Sequence, residues 1–470
     1  MSDEAKVEQH FPYLPHTNGD RDAMLKEIGV RTFDELLSHI PKEIRAKELA
    51  LEPGLSELEL TQRIAGYAAK NKPASHQACF MGGGVYRRFT PAAVGSIVSR
   101  SEFATAYTPY QPEVSQGSLQ AIYEFQTAIC LLTEMEVANA SMYDGPTACA
   151  EAILMAARLT DRKRVVLGGT ISPEYSMVAK TYIETVGMEL DTVIPPAAGG
   201  KDDLKITPET AAVVVQYPNY FGILENIEDV AKQAHAHGAM LIVITDPISL
   251  GLLKAPGGFG ADIVVGDAQQ CGNQLAFGGP TAGYMATLTK FVRQLPGRLA
   301  GMTVDKNGKR AFTLTLQTRE QHIRRANATS NICTNQALNA LTMLVYLSLI
   351  GPAGLRQLAE ISLRRAHYLA DALTAVPGVS LKFNAPFFSE FVIQTPAPAS
   401  KVLAALTEDG ILGGIDLGQF FPQHSDCILV SVTEMNSVAE LDKYAQALPK
   451  AIARLGASSP STASALAHQR

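Results

Sequence analysis

Two short apolar runs near the middle of the chain end in polar residues that could do chemistry. The first run is Leu241–Thr245 and the second is Asp262–Val265. Continuous apolar runs of this length are typical of strands buried on both faces of a parallel sheet, and sites in such folds lie at the carboxyl ends of the strands. The polar residues that these strands would place there are Asp246, Asp267, Gln269 and Gln270. The sequence therefore predicts a site at this edge of a sheet.

The chemistry open to that site is limited by a missing amine. No lysine occurs between Lys254 and Lys290. A neutral amide such as that of Gln269 or Gln270 cannot form an imine, so Schiff-base chemistry is excluded at these two positions. Lys254 falls between the two predicted strands and Lys290 follows a further predicted strand, so neither lysine stands at the expected strand end.

The layout resembles the large domain of fold-type-I pyridoxal-phosphate enzymes. In that family an Asp at the end of one strand pairs with the pyridine nitrogen, and a Lys about two dozen residues later forms the Schiff base. Asp246 matches the first position, whereas Gln269 and Gln270 stand where the Lys is expected. The resemblance implies a pyridoxal-phosphate fold without its covalent anchor.

A second feature is the loop Tyr143-Asp-Gly-Pro-Thr-Ala, which is predicted to open a helix. The free N–H groups and the dipole of a helix N-terminus favour anions, and the resemblance implies that this loop would cradle the cofactor phosphate. Asp144 instead places a carboxylate there, where it can cap the helix and repel a phosphate. We interpret Asp144 and Asp246 as relics of a cofactor site.

The elements that must position these residues alternate between strand and helix from residue 160 to 250. Strands are predicted at Arg164–Leu167 and Ala211–Gln216, and helices at Pro173–Val186 and from Ile227 to His237. This alternation predicts a doubly wound α/β sheet. The predicted fold class is α/β, with a large domain like that of fold-type-I pyridoxal-phosphate-dependent transferases, a helical N-terminal arm and a smaller C-terminal α+β domain.

The chain is predicted to divide into an arm, a large domain, a small domain and a low-complexity, disordered tail. Their expected bounds are 1–75, 76–345, 346–455 and 456–470. In the arm, Thr32 with Glu35 and Ser56 with Glu59 have the spacing of capping boxes. The apolar faces of the arm helices need a partner, which is either the main domain or another subunit.

A long segment at 79–118 is rich in Gly, Pro, Tyr and short polar residues. Irregular segments of this length in compact domains are usually functional, although an ordered surface loop held by aromatic side chains is the alternative. The residues that could line a pocket are Tyr86, Arg87, Arg88, Tyr107, Tyr110, Gln111 and Glu113.

Composition excludes several classes of function. The chain has 470 residues, 46% hydrophobic and 18% charged, which is ordinary for a globular protein, and its formal net charge of −6 with no basic arm argues against nucleic acid. Six scattered cysteines without a CxxC pair favour buried free thiols over a metal site or disulfides. The first residues are polar and acidic rather than a secretory signal, and no uninterrupted apolar run reaches the ~18 residues of a membrane span. A cytoplasmic location without metal or membrane is therefore expected.

The segment from Lys290 to Ile332 is rich in arginine. Its arginines are Arg293, Arg298, Arg310, Arg319, Arg324 and Arg325. A solvated face with interface ion pairs is the favoured interpretation, and a site for an acidic ligand is the alternative.

Several stretches together resemble one family in more than its fold. They are DRDAMLKEIGVRTFDELLSHIP, LSELELTQRIAGYAAKN, FMGGGVYRRFTP, YTPYQPEVSQGSLQAIYEFQT, MYDGPTACAEA, FGGPTAGYMAT, RQLPGRLAG and TLQTREQHIRRANATSNICTNQAL. They resemble the glycine dehydrogenase (decarboxylating) family, the P-proteins of the glycine cleavage system, and within it the alpha chains, or subunit 1, of two-subunit members. The resemblance spans roughly residues 13–450, and RRANATSN is a small departure from the family's pattern.

The resemblance implies an α2β2 assembly in which a homologous beta subunit carries the Schiff-base Lys and the pyridoxal phosphate. The implied reaction decarboxylates glycine and passes the aminomethyl group to the oxidised lipoyl arm of H-protein. The residues expected to complete or gate the catalytic mouth are Tyr107, Tyr110, Gln111, Glu113, Ser115 and Gln116. Arg87 and Arg88 could contact an acidic H-protein surface or hold their loop in place.

Two other functions stay open at the level of sequence. An independent pyridoxal-phosphate enzyme could use a remote lysine, such as Lys254 or Lys290. A non-catalytic scaffold subunit would leave the partner active alone and would change only stability or affinity.

Overall fold

A computed structural model describes residues 15–45, 51–52, 54–168, 170–193, 203–329, 332 and 334–457. The chain forms two compact units, Met1–Asn71 and Lys72–Arg470. Of the tail that the sequence predicts to be disordered, residues 458–470 lie outside the described residues, as do residues 1–14 of the predicted arm.

The helices are α1 (Asn18–Ile28), α2 (Phe33–Leu36), α3 (Glu57–Ala68), α4 (Ala92–Val98), α5 (Ser101–Ala104), α6 (Gln116–Thr133), α7 (Gly145–Thr160), α8 (Pro173–Thr185), α9 (Ile227–Ala236), α10 (Gln321–Arg324), α11 (Ala337–Thr374), α12 (Ala399–Glu408) and α13 (Val438–Ala457). The strands are β1 (Ala78–Cys79), β2 (Val137–Ala138), β3 (Arg164–Leu167), β4 (Glu189–Thr192), β5 (Thr210–Tyr217), β6 (Met240–Thr245), β7 (Ile263–Asp267), β8 (Gly283–Thr287), β9 (Leu299–Val304), β10 (Arg310–Thr315), β11 (Ser380–Leu381), β12 (Glu390–Gln394), β13 (Ile411–Leu412), β14 (Ile415–Asp416) and β15 (Cys427–Ser431).

The first unit contains helices α1, α2 and α3, whose starts are set by side-chain caps. Ser56 and Glu59 form the predicted capping box of α3. Thr32 caps α2 by accepting from the N–H of Glu35, but the Glu35 carboxylate accepts from the N–H of Arg31 instead of closing the second box. The sequence spacing therefore located both helix starts, although only one of the two boxes is complete.

The second unit is built on a mixed sheet with the strand order β2-β8-β7-β6-β5-β3-β4. Strands β3 to β7 run parallel to one another, whereas β8 pairs antiparallel with β7 and β2 pairs antiparallel with β8. Every residue of β6 is buried. Leu241 and Val243 pack into one core and Ile242 and Ile244 into another, so the strand is covered on both faces, as its unbroken apolar sequence predicts.

A second sheet, with the order β11-β12-β15-β14, lies towards the C-terminus. Helices α12 and α13 and the second half of α11 pack on it through an apolar cluster of their own. The hairpin of β9 and β10 lies in the arginine-rich segment, where the sequence pattern gave no prediction of strands.

Helix α11 consists of two helical parts joined at Gly351, whose backbone has a positive φ and is non-helical. By length and composition alone this helix could span a membrane: an 18-residue window of it has a mean hydropathy of 1.6, and 39% of that window is buried. Met343, Leu344 and Tyr346, which precede Gly351, pack into the core of the main sheet. A core helix of a globular protein can have the same apolar composition.

Candidate functional site

The predicted polar residues lie together at the carboxyl ends of the neighbouring strands β6 and β7, which are interior strands of the main sheet. The two strands pair in parallel with Ile244 opposite Val265, so Asp246 and Asp267 follow at neighbouring positions. Gln269 and Gln270, which come directly after β7, are each 4% exposed. The edge is therefore a buried polar cluster rather than an open cleft.

Gln269 is fully engaged in hydrogen bonds with the backbone. Its Oε1 accepts from the N–H of Tyr86 at 2.9 Å, and its Nε2 donates to the carbonyl oxygens of Tyr86 at 2.9 Å and Asn273 at 3.1 Å. The side chain therefore ties the loop around Tyr86 to the sheet edge. No reactive group stands at the position where the resemblance expects the Lys.

Gln270 carries a second tie to the same loop, through Arg88. Arg88 Nε donates to Gln270 Oε1 at 3.0 Å, and Nη1 donates to Glu434 Oε2 at 2.7 Å and to Ser362 Oγ at 2.8 Å. Only 2% of the Arg88 side chain is exposed. Arg88 thus holds its loop, and its burial is incompatible with the other expected role, contact with an acidic protein surface.

Asp246 lies close enough to this guanidinium for the positive charge to act on its carboxylate. Burial raises the pKa of Asp246, while the charge of Arg88, the N–H of Ile248 and a hydrogen bond from Gln270 act in the opposite direction. Asp246 Oδ1 accepts from the N–H of Ile248 at 2.8 Å. In an enzyme of this fold the cation that faces the Asp is the pyridinium of the cofactor. Here the positive charge of Arg88 already acts on Asp246.

The N-terminus of α7 is likewise occupied by carboxylates of the chain. Asp144 Oδ1 accepts from the N–H of Thr147 at 2.8 Å and caps the helix, as its sequence position predicts. Asp267 Oδ2 accepts from the N–H of Gly145 at 2.9 Å and from the hydroxyl of Thr281 at 2.9 Å. Burial raises the pKa of Asp267 to about 6. The N–H groups that would bind a phosphate are therefore already used.

The space at this edge is also small. A cavity of about 20 Å³ is lined by residues that include Tyr86, Asp246 and Glu390. A volume of this size holds about one water molecule. A Cβ on Gly145 would lie 1.9 Å from the Tyr175 hydroxyl, so this end of the site is closed as well. The residues present do not fit pyridoxal phosphate.

Glu390, which sequence reasoning missed, joins the second sheet to the same loop. Its carboxylate accepts from the N–H of Gly83 at 2.8 Å and from the hydroxyl of Tyr86 at 2.8 Å. Burial, the largest influence, raises the pKa of Glu390 to about 7. The available signal was a charged residue at the start of the otherwise apolar strand β12.

The candidate residues of the loop after α5 lie on the surface. Tyr107 and Tyr110 are 72% and 66% exposed, and their ring centroids are 6.5 Å apart. Gln111 and Glu113 are exposed too. Gln116 has a structural role, because its side chain donates to the carbonyl oxygen of Phe312 at 2.9 Å and accepts from the N–H of Phe312 at 2.8 Å.

Beneath this loop lies a cavity of about 120 Å³, which Ser115 helps to line. Its walls are the Tyr107–Pro109 segment, helix α6 and the first turn of α11. The sequence indicated the loop residues. It did not show that α11, more than two hundred residues later, forms the opposite wall, since that proximity is a result of the tertiary fold.

Two arginines of the basic segment are interior residues, which contradicts the expectation of a solvated face for them. Arg298 is 7% exposed; its guanidinium donates to the Thr108 hydroxyl at 3.3 Å and lies 5.8 Å from the ring centre of Tyr110. Arg319, which is 8% exposed, donates to the carbonyl oxygens of Leu295 and Gly297. Arg298 therefore supports the base of the Tyr107–Tyr110 loop.

Arg87, the other arginine of the earlier loop, is half-buried and donates to the carbonyl oxygen of Ala74 at 3.3 Å. Among the described residues, no group of three or more His, Cys, Asp or Glu side chains could hold a metal ion.

The two lysines considered as remote anchors lie towards the other end of the strands, near the amino end of β7. Lys254 contacts the ring of Phe259, in the connection that precedes the amino end of β7. Lys290 follows β8, whose last residue Thr287 pairs with Ile263 at that same amino end. Asp246 and the two glutamines stand at the carboxyl end.

Comparison with known proteins places this architecture. The family model described as "Glycine cleavage system P-protein" matches residues 11–448. The chain is 51% identical over 443 residues to a probable glycine dehydrogenase (decarboxylating) subunit 1 from Chlorobium luteolum, covering 93% of this chain and 99% of the relative. It is 48% identical over 449 residues to the protein of the same name from Desulforamulus reducens, covering 95% and 99%.

Solved structures agree. A crystal structure of glycine decarboxylase (P-protein) of the glycine cleavage system, in inhibitor-bound form, matches with a TM-score of 0.87 and 44% identity, over 93% of this chain and 99% of that one. A sphingosine-1-phosphate lyase from Burkholderia pseudomallei matches with a TM-score of 0.62 at 14% identity, over 88% and 96%, which is a likeness of fold alone. The fold is therefore that of fold-type-I pyridoxal-phosphate enzymes, and the chain belongs to the glycine cleavage system P-protein family.

Proposed function

We propose that this chain is the subunit of a two-chain glycine decarboxylase that does not itself hold pyridoxal phosphate. One observation carries the proposal: the cofactor site of the fold is filled by the chain's own side chains. Gln269 stands in place of the Lys, the charge of Arg88 acts on Asp246, and Asp144 and Asp267 accept from N–H groups at the start of α7. A buried cluster of this kind supports the fold of the chain rather than the chemistry of a bound cofactor.

In this proposal a homologous beta subunit supplies the Schiff-base Lys and the pyridoxal phosphate, in an α2β2 assembly in the cytoplasm. The relatives' designation as "subunit 1" supports a partner chain. The assembly decarboxylates glycine and transfers the aminomethyl group to the oxidised lipoyl arm of H-protein, with release of CO2. The cofactor, when bound by the partner, supplies the electron sink for the carbanion.

The part of this chain in the reaction is to complete the catalytic mouth of its partner. The supporting feature is the loop that carries Tyr107, Tyr110, Gln111 and Glu113, which presents large side chains to the outside. The loop is held firmly at its base, by Arg298 on Thr108 and by Gln116 on the backbone of Phe312. Exposed aromatic side chains on a fixed base are suited to binding across an interface.

The proposal is tested by the visible absorption of the chain with added pyridoxal phosphate, alone and with the presumed beta partner. We expect imine absorption and glycine–bicarbonate exchange only when both chains are present. An imine band from this chain alone, removable by borohydride, would overturn the proposal and would require a lysine in this chain to act as anchor. Lys254 and Lys290 are the candidates for that role, and their place at the far edge of the sheet argues against both.

A scaffold role is the second candidate, and the same experiment separates it. If the partner alone catalyses exchange at the full rate, this chain contributes only stability or affinity. The closed cofactor site alone is compatible with a scaffold. The exposed Tyr107–Glu113 loop suits contact with a partner in either role, so the exchange rate of the partner alone decides between the two candidates.

A further inference from the structure

The cavity beneath the Tyr107–Pro109 segment has no part in the closed cofactor site. Its walls are mostly apolar and include Ile122 and Phe125 from α6 and Leu338 and Leu341 from α11. The polar side chains that line it are the hydroxyls of Thr108, Ser115 and Ser118. It is thus an apolar pocket with a few hydroxyl groups, within one compact unit of the chain.

The size and the polarity of the cavity limit what it can bind. An apolar cavity of ~150 Å³ holds a six-membered carbon ring, so about 120 Å³ suits a small ring or a short alkyl segment. A nucleotide or a folded peptide segment is too large. A zwitterion such as glycine is excluded from the apolar part, because its charges would lose their hydration and no charged side chain among the described residues lines the cavity.

The lining also has a chemical preference. Three aromatic rings contribute to it, those of Phe103, Tyr107 and Phe125. Sulfur atoms make favourable contacts with aromatic rings. At the rim, the Thr108 hydroxyl accepts a hydrogen bond from the buried Arg298 at 3.3 Å.

The cavity can be entered from outside. Tyr107, whose side chain lines it, is 72% exposed, and Leu338 on the opposite wall is 41% exposed. A ligand can therefore enter between the loop and the start of α11, next to the surface that the proposed function assigns to the catalytic mouth.

We propose that this cavity binds the five-membered disulfide ring and the adjoining methylene groups of an oxidised lipoyl arm. Two soft sulfur atoms and three ring carbons match the volume and the aromatic lining, and the hydroxyls at Thr108, Ser115 and Ser118 can bond the amide of the arm. The identification of the arm rests on the proposed function. The pocket gives the arm a binding position on this subunit, apart from the partner's reacting centre.

The first test is binding of oxidised lipoamide to the full-length chain, measured by saturation-transfer NMR and by calorimetry. Octanamide, which has the aliphatic chain and amide but no disulfide ring, is the comparison ligand. We expect lipoamide to bind at least about threefold more tightly, because only the ring makes sulfur–aromatic contacts. No binding of lipoamide, or octanamide binding equally tightly, would overturn the assignment.

The second test locates the site with matched variants on α11. Leu338→Asp places a carboxylate in the wall of the pocket, whereas Leu349→Asp places one at a leucine of similar exposure on the same helix, 47% against 41%, outside the pocket. We expect Leu338→Asp to weaken lipoamide binding on the order of tenfold and Leu349→Asp to change it less than about twofold. Equal affinities in the two variants would contradict the location.

A second pair of variants, which introduces no buried charge, controls for misfolding. Ala121→Leu fills part of the cavity from α6, and Ala128→Leu is the control on the same helix, away from the lining. Circular dichroism and thermal midpoints confirm folding of both. We expect weaker lipoamide binding only in Ala121→Leu, and unaltered binding in it would count against the pocket.

The outcomes separate this inference from the proposed function. If the assembled chains show no glycine–bicarbonate exchange but the wild-type chain binds lipoamide at this pocket, the proposed function fails and the binding site stands. If exchange is normal and Leu338→Asp leaves the KM for lipoylated H-protein unchanged, the pocket inference fails and the proposed function stands. A raised KM with unchanged kcat supports both.

Discussion

The residues at the carboxyl ends of β6 and β7 form a buried polar cluster that is paired within the chain. The charge of Arg88 acts on Asp246, and Asp144 and Asp267 accept from N–H groups at the start of α7. The helix N-terminus is thereby satisfied, and the buried polar groups are mostly paired. The cost is a set of carboxyl groups whose pKa values are raised by burial.

Glu390 gives a prediction of pH dependence. Its folded pKa of about 7 lies above the ordinary value of 4.5, so the folded state binds more protons between these pH values and loses stability as pH rises through that window. Glu390→Gln keeps an acceptor for the Gly83 N–H and has no charge. We expect the variant to match the wild type near pH 5 and to be more stable by on the order of 3 kcal/mol at pH 8.

Urea unfolding followed by circular dichroism at pH 5, 6, 7 and 8 checks this expectation. Asp267 and Glu151, whose pKa values are also raised, to about 6 and about 7, contribute the same slope to both proteins and cancel in the difference. A difference that does not vary with pH would show that Glu390 stays ionised in the folded chain.

Arg88 gives a prediction about the buried ion pair. Arg88→Met leaves Glu434, whose side chain is 7% exposed, without its cation, and removal of one partner from a buried pair costs about 3–5 kcal/mol. We expect a clearly lowered thermal midpoint, which adding Glu434→Gln partly restores. Arg356→Ala, which removes an exposed pair with Glu360, is the control and should change stability by less than about 0.5 kcal/mol. Equal effects of the two single variants would refute the assignment.

At the scale of elements, the entry into α7 is fixed by close packing as well as by its cap. Gly145 is the first residue of the helix, and there is no room for a side chain between it and Tyr175. Tyr175 and the start of α7 are therefore in contact at the place where a cofactor phosphate would need space.

Two glycines near helix starts test this closure. A Cβ at Gly145 would lie 1.9 Å from the Tyr175 hydroxyl, whereas a Cβ at Gly117, in the first turn of α6, would meet nothing within 4 Å. We expect Gly145→Ala to destabilise the chain by about 1–3 kcal/mol and Gly117→Ala to stabilise it by up to about 1 kcal/mol. Denaturant midpoints measure both. A tolerated Gly145→Ala would mean that the site can open.

At the scale of the whole molecule, the closed cofactor site and the exposed loop lie in the same compact unit. In the proposed function the partner chain holds the cofactor, and this chain contributes the loop. The closed site stabilises the fold, and the proposed role of the loop is to act on a partner. The loop can therefore be changed without affecting the core that carries it.

Tyr110→Ala with Glu113→Ala tests this division. Both side chains are exposed, so the double variant should keep the thermal midpoint within about 1 °C, since surface substitutions change stability little. We expect a several-fold lower turnover of glycine by the assembled enzyme. Leu131→Ala, which truncates a 77% exposed leucine on α6, is the control. Unchanged kinetics in the double variant would remove the loop from the catalytic mouth.

The sequence by itself determined the local structure that depends on neighbours along the chain. Apolar runs such as Leu241–Thr245 predicted buried parallel strands, the cap at Asp144 predicted the start of α7, and Gln269 with Gln270 excluded an imine at these two positions. The reason is that burial period, capping and reactivity depend on residue type and on spacing of a few positions. The division of the second unit into a large and a small domain at residue 345 stays a prediction.

Only the tertiary structure decided which distant residues meet. Arg88 joins Glu434 across 346 positions, Tyr86 joins Glu390 across 304, and α11 closes a cavity begun by the Tyr107–Pro109 segment. Two arginines that composition placed in solvent are interior for the same reason. Local patterns record that a residue is polar or apolar, whereas the partner that neutralises a buried charge is chosen by the packing of elements far apart in the chain.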